Sequence, residues 1–342
     1  MKVGIFGMGA YGMALSSALL KNNCDITMWS KFTEEKELLE KTRKNEKLLP
    51  GFKLSEDVKL TTSVEDCAKD KDILIIAIPI AFVDSLCKEL NKYVENQYIV
   101  IASKGIEQET NLFAHEIIRN SIDTEKIAII SGPSFAIDLI QGMPQALTVA
   151  SSNASTLAIV KKSFESETLR IEISDDIYGV EICGSVKNIV AIATGILEGL
   201  KVNESTRAMF MVEAINNIRK LLKDFNCNEM TILTFSGIGD LLLTCTSEKS
   251  RNFRYGILLG ENKNKTEIKD YIKNTTVEGF YTLVSLHEIL IKNKIENYFF
   301  DLIYNIAING MNANELLNYL KNWYRSELKW KVYYQNFLNQ YY

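Results

Sequence analysis

Apolar and polar positions alternate along this chain in blocks of two kinds. KVGIF near the start is an apolar run of strand length, followed by a glycine-rich turn and an apolar stretch at helical spacing that ends near Asn22 or Asn23. CDITMWS then returns as a second strand. Strand, helix and strand in that order form a βαβ unit, whose right-handed crossover opens a parallel sheet. The apolar runs DILIIAIP, YIVIASKG, KIAIISGP and QALTVASS, each bounded by polar segments, predict further strands. Strand character fades at about residue 175, and from VEICGSVKNIVAIATGILEGL onward the period is helical. The pattern predicts two domains, a doubly wound α/β sheet over residues 1–178 and an all-α domain over residues 179–342. A chain of 342 residues is long enough to give each its own core.

Three apolar stretches need separate readings. Trp330, Tyr334, Phe337 and Tyr341 recur at helical spacing among polar Lys331, Gln335, Asn339 and Gln340, which predicts a terminal amphipathic helix packed on the α domain, with a dimer contact as the alternative. The longest apolar run, Ile73 to Val83, is interrupted by Pro79 and is too short to span a bilayer, so no membrane insertion is expected. Lys2 and the apolar residues to Leu20 have the outline of a secretion signal, but the glycine spacing explains the same residues better.

Composition narrows the class. Hydrophobic residues make up 46% and charged residues 24%, with four prolines, as in ordinary globular domains. The net charge of -4, with both signs spread along the chain, gives no basis for a nucleic-acid or polybasic membrane surface. Six cysteines lie far apart without a CxxC pair or clustered histidines, so neither a metal site nor a disulfide scaffold is expected. Reduced thiols and a cytoplasmic setting fit that usage.

Candidate chemistry sits at strand ends and on one helix. Gly7, Gly9 and Gly12 form GxGxxG between a predicted strand and helix, where glycines permit a tight turn and free helix amides face a pyrophosphate. This makes the sheet Rossmann-type. SKGIE puts Lys104, and SGPSFA puts Gly132, Ser134 and Ala136, at the carboxyl ends of strands, the ligand-binding edge of such sheets. Lys187 and Asn188 interrupt an otherwise apolar helix, and a buried lysine needs a partner or a ligand. SGIGDLLLTCTSEKSRN gathers Asp240, Thr244, Ser250, Arg251 and Asn252, with the arginine suited to a phosphate.

In this order GMGAYGMAL, KLLPGFKLSEDVKLTTSVEDC, DILIIAIP, IASKGIE, SGPSFA, VEICGSVKNIVAIATGILEGL, SGIGDLLLTCTSEKSRN and TVEGFYT strongly resemble the NAD(P)-dependent glycerol-3-phosphate dehydrogenases. The resemblance implies an oxidoreductase that interconverts dihydroxyacetone phosphate and sn-glycerol 3-phosphate and supplies phospholipid synthesis. It implies that Lys104, Lys187, Asp240, Ser250, Arg251 and Asn252 surround the substrate, joined by Gly132 and Ser134. It also implies that Ala136, Arg251 and Glu278 lie on the nucleotide side, with Lys104, Ala10 and Tyr11 beside the turn glycines. The family usually has Trp or Phe at Tyr11, Arg at Lys31, Glu at Asp138 and a basic residue at Glu213, so this chain departs from it there. A nucleotide-bound sensor without turnover would lack one of Lys104, Lys187, Asp240 and Arg251, and all four are present; a related dehydrogenase for another small acid or phosphorylated substrate would lack the phosphate-binding Ser250, Arg251 and Asn252 arrangement.

Two expectations concern the chemistry itself. NAD-specific sheets usually carry Asp or Glu at the end of the second strand, whereas this strand ends MWSK; Lys31 there predicts that NADPH is accepted, or preferred over NADH, with Glu34 and Glu35 nearby offsetting part of its charge. Ketone reduction also needs an acid, and His115 and His287 fall outside every motif on helices read as peripheral. That leaves Lys187 as the catalytic acid, with Lys104 lowering its proton affinity and Asp240 orienting it. A small molecule is the expected partner, and a homodimer is compatible with the pattern.

Overall fold

The structure, a computed structural model, describes residues 1–322. The aromatic helix expected around Trp330 to Tyr341 lies outside the described residues. Eight strands form one sheet: β1 (Lys2–Phe6), β2 (Asp25–Trp29), β3 (Lys59–Thr61), β4 (Ile73–Ile76), β5 (Tyr98–Ile101), β6 (Ile127–Ser131), β7 (Gln145–Ala150) and β8 (Leu169–Ser174). Their order is β3-β2-β1-β4-β5-β6-β7-β8. The chain winds outward from β1 through β2 to β3, then resumes on the other side of β1 with β4. The carboxyl ends of β1 and β4 therefore meet at a switch point, where such sheets bind ligands.

Burial on both faces explains the unbroken apolar runs. All four residues of β4 are buried, with Ile73 and Ile75 in one cluster and Leu74 and Ile76 in the cluster on the opposite face. Two strands escaped the sequence reading. β3 has only three residues, and β8 (LRIEIS) alternates buried Leu169 and Ile171 with exposed Arg170, as a half-covered edge strand does. Direction also differs from a uniformly parallel sheet: β7 runs antiparallel to β6, and β8 parallel to β7. The helix between β6 and β7, Ala136–Leu139, has four residues. It spans only about 6 Å, too short to carry the chain back along the sheet face, so the chain returns antiparallel.

Beyond β8 the described chain is helical. The helix Ile177–Gly199 has all but three residues buried and forms the axis of a third apolar cluster. It is long and apolar enough to cross a membrane, but it is enclosed by the rest of the fold. Helix Arg251–Gly260 crosses it in backbone contact. A Cβ on Gly195 would lie 2.1 Å from the Phe253 carbonyl oxygen, and one on Gly256 2.0 Å from that of Ile192. This close crossing sets the start of the second helix beside Lys187, which lies two turns before Gly195 on the first. Helices Glu204–Asp224 and Glu278–Lys292 also pack against the central helix.

Candidate active site

The glycine turn follows β1 at the switch point. Gly7 has φ +133°, and a Cβ there would lie 2.4 Å from the Ala77 carbonyl oxygen; a Cβ on Gly12 would lie 2.1 Å from that of Gly7. Both positions exclude a side chain. Around Gly9 the space is open, with nothing within 4 Å of an added Cβ, and helix Ala10–Leu20 starts there without a side-chain cap. Its first amides can be completed by an anion, which is what a pyrophosphate offers. The residues fit a dinucleotide.

Tyr11, in the first turn of that helix, shares a hydrogen bond with Ser134 Oγ at 3.0 Å. Ser134 follows Gly132 (φ +154°) in the loop after β6, and Ala136 opens the next short helix, packed with Ala10 and Tyr11 against one apolar cluster. The glycine turn and the SGPSFA loop are thus one surface. Lys31 is exposed just beyond the end of β2 and joins none of these bonds.

Three charged groups meet at a single carboxylate. Asp240 begins helix Asp240–Cys245, after the tight turn Phe235–Gly239, and is 1% exposed. Lys187 Nζ, on the central helix, donates to its Oδ1 at 2.5 Å and to Thr244 Oγ1 at 3.0 Å. Lys104 Nζ, three residues past β5, donates to Asp240 Oδ2 at 2.6 Å. The residue after Lys104 is fixed in turn, since Gly105 N donates to Ser185 Oγ on the central helix at 3.2 Å. Two cations against one anion leave the cluster with an excess of positive charge.

The electrostatics separate the two lysines. Burial pushes the Lys187 ammonium down to about 8, reinforced by Lys104 and opposed by Asp240. Burial also works against the charge on Lys104, but the Asp240 carboxylate and the Tyr11 hydroxyl together outweigh it and hold Lys104 up at about 12. Asp240 stays below its usual range, because the two lysines overcome the burial that would raise it. Burial thus makes Lys187 the easier of the two lysines to deprotonate, while the Asp240 carboxylate favours the charged form of Lys104.

A second polar group lies on the central helix next to Lys187. Asn188 Nδ2 donates to Glu278 Oε2 at 3.3 Å, and Glu278 Oε1 lies 3.9 Å from Arg251 Nη2. Asn252 Oδ1 accepts from Gly279 N at 2.9 Å, tying the start of helix Arg251–Gly260 to that of Glu278–Lys292. Ser250 Oγ caps the first of these helices by accepting from Phe253 N at 3.2 Å. The Arg251 side chain is 48% exposed, so its guanidinium has donors to offer an incoming anion.

His115 was expected on a peripheral helix, yet it is buried, and its ring Nδ1 is hydrogen-bonded to Glu181 of the central helix while its backbone N donates to Glu181 Oε1 at 3.1 Å. A buried glutamate needs such a partner. His287 is stacked on Tyr304 at 3.8 Å and contacts Asp301 at 3.1 Å. Neither histidine shares a hydrogen bond with the Lys104, Asp240 and Lys187 cluster. Sequence reasoning also missed the Tyr11 bond to Ser134, for which it holds no local signal because the two residues are 123 positions apart.

Comparison with known proteins gives consistent matches. The family description "NAD-dependent glycerol-3-phosphate dehydrogenase N-terminus" matches residues 2–157, and its C-terminal counterpart matches residues 176–318. A glycerol-3-phosphate dehydrogenase (NAD(P)+) of Fusobacterium nucleatum is 34% identical over 323 residues, covering 93% of this chain and 96% of its own. That of Acinetobacter baumannii is 31% identical over 333 residues, covering 96% and 92%. The crystal structure of a glycerol-3-phosphate dehydrogenase from Coxiella burnetii superposes with a TM-score of 0.87 at 28% identity, covering 93% of this chain and 98% of that one.

Proposed function

Because the chain belongs to the NAD-dependent glycerol-3-phosphate dehydrogenase family, we propose that it interconverts dihydroxyacetone phosphate and sn-glycerol 3-phosphate with NADH or NADPH. The observation that carries this reading is the convergence of Lys104 and Lys187 on Asp240, beside the carboxyl edge of the sheet. When bound, the nicotinamide supplies or accepts the hydride. Gly7, Gly9, Ala10, Tyr11 and Gly12 hold the dinucleotide at the turn, with Lys31, Lys104, Ala136, Arg251 and Glu278 also on the cofactor side.

In the reducing direction Lys187 Nζ gives its proton to the ketone oxygen as that oxygen becomes a hydroxyl. In the reverse direction the neutral amine takes the hydroxyl proton. Asp240 and Thr244 hold the Lys187 Nζ in place, so the proton is delivered at one position. Lys104 keeps the Lys187 proton labile and adds a fixed positive charge for the developing oxyanion. Arg251, with Ser250, Asn252 and the loop around Gly132 and Ser134, holds the phosphate and so fixes the carbonyl relative to the acid.

In this account residues 1–178 form the cofactor domain and residues 179–342 the catalytic one. The reaction would occur in the cytoplasm and feed glycerol 3-phosphate to phospholipid synthesis, by a single chain or a homodimer. The test is to follow NADH and NADPH absorbance with dihydroxyacetone phosphate, using unphosphorylated dihydroxyacetone as control. Turnover with the phosphate ester and little with the control supports the reading. Equal turnover of both, or none of either, contradicts it.

A further inference from the structure

The end of β2 carries an acidic group supplied by the helix that follows it. The strand stops at Trp29, whose carbonyl accepts from Gly7 N at 2.9 Å, so the residues that follow lie beside the glycine turn. Ser30, 3% exposed, occupies the position where an aspartate or glutamate usually meets the adenosine ribose. Its hydroxyl donates to Glu35 Oε2 at 2.5 Å and accepts from Phe32 N at 3.1 Å. Glu35 comes from the first turn of helix Thr33–Thr42, and the serine draws its carboxylate back to the strand end. Only one carboxylate oxygen is used in that bond, which leaves Glu35 Oε1 as an acceptor. The neighbouring Lys36 is engaged with Glu40 at 2.7 Å. Among the described residues no carboxylate lies within ion-pair range of Lys31. The strand end therefore presents one anchored anion and one unneutralised cation.

We infer that Glu35, held by Ser30, is a specificity-determining residue for the dinucleotide: it accepts a hydrogen bond from the ribose 2'-hydroxyl of NADH and repels the 2'-phosphate of NADPH. Lys31 acts in the opposite sense, and the pair sets how the chain divides its use of the two cofactors. A glutamate in a first helical turn can also serve only to complement the helix dipole. That role would change the stability of the fold and leave the ratio of the two affinities alone.

The inference rests on the dehydrogenase reading, so its test is made on binding to the full chain without substrate. Dissociation constants of NADH and NADPH are measured by nicotinamide fluorescence for the natural protein, Glu35→Gln, Ser30→Ala and Glu34→Gln. Glu35→Gln should shift the affinity ratio toward NADPH roughly tenfold, the size of one screened charge interaction near a protein surface. Ser30→Ala, which releases the carboxylate, should shift it the same way by less, and exposed Glu34→Gln should leave it within twofold. An unchanged ratio in Glu35→Gln, or an equal shift in Glu34→Gln, overturns the assignment. Failure of the natural protein to bind either nucleotide would overturn the dehydrogenase reading as well, which separates the two failures.

Discussion

Lys187 Nζ lies 2.5 Å from Asp240 Oδ1, and the other oxygen of that carboxylate is bound to Lys104. A buried carboxylate between two lysines makes their charges interdependent. Removing one member changes the proton affinity of another.

The pH profile should show Lys187. With Lys187 as the proposed acid, reduction draws on its protonated form, so the reductive rate should fall as pH rises through about 8, and the oxidative rate should rise through the same range. Asp240 favours the charged form, so in Asp240→Asn burial and Lys104 act unopposed and the reductive limb should move to lower pH. The linked stability has a definite sign. The unfolded lysine keeps its proton up to 10.5, so this group stabilises the fold increasingly as pH rises from about 8 to 10.5. A reductive limb that stays in place in Asp240→Asn would contradict the coupling.

Gly195→Ala should destabilise the fold. The added Cβ would lie 2.1 Å from the Phe253 carbonyl oxygen, and the backbones of both helices would have to part. Overpacking of this kind costs about 1 to 3 kcal/mol. Thermal or urea unfolding would read it, and a midpoint equal to that of the natural protein would show that the crossing adjusts freely.

Arg251→Ala should act on substrate binding more than on the chemical step. The guanidinium is half-exposed at the helix start and, among the described residues, has only a long 3.9 Å contact to Glu278, which leaves donors for a phosphate. The expected result is a KM for dihydroxyacetone phosphate raised about tenfold to a hundredfold, the loss of one or two charge-assisted hydrogen bonds. A fall in kcat with an unchanged KM would place Arg251 elsewhere in the mechanism.

Lys31→Glu should raise the KM for NADPH far more than that for NADH, since it replaces a cation at the end of β2 with an anion. Equal effects on the two cofactors would remove Lys31 from the 2' position.

What could be read from the sequence was local in the chain or carried by period. GxGxxG announces its turn because Gly7 and Gly12 tolerate no side chain, and β4 announces itself because burial on both faces demands an unbroken apolar run. Lys187 stood out because a charge in an apolar helix requires a partner, and the partner, Asp240, lay in another motif. The rest depended on contacts between distant or weakly patterned segments. β3 is too short to show a period, and in β8 charged Arg170 and Glu172 mask the apolar face. The reversal at β7 follows from a helix too short to cross over, which composition does not reveal. Glu35 appeared only as a nearby charge, because its bond to Ser30 forms when the first turn of its helix folds back on the strand end.

Steady-state turnover of Lys187→Met, measured together with nucleotide binding, separates an acid at this position from a merely structural lysine. Methionine keeps the length and apolar packing of the lysine stem but cannot transfer a proton. If Lys187 is the acid, reduction of dihydroxyacetone phosphate should fall by about 10² to 10⁴, as for loss of a general acid, while NADH and NADPH dissociation constants change little. A Lys187→Met protein that turns over at a near-normal rate would rule out Lys187 as the acid and transfer that role to Lys104.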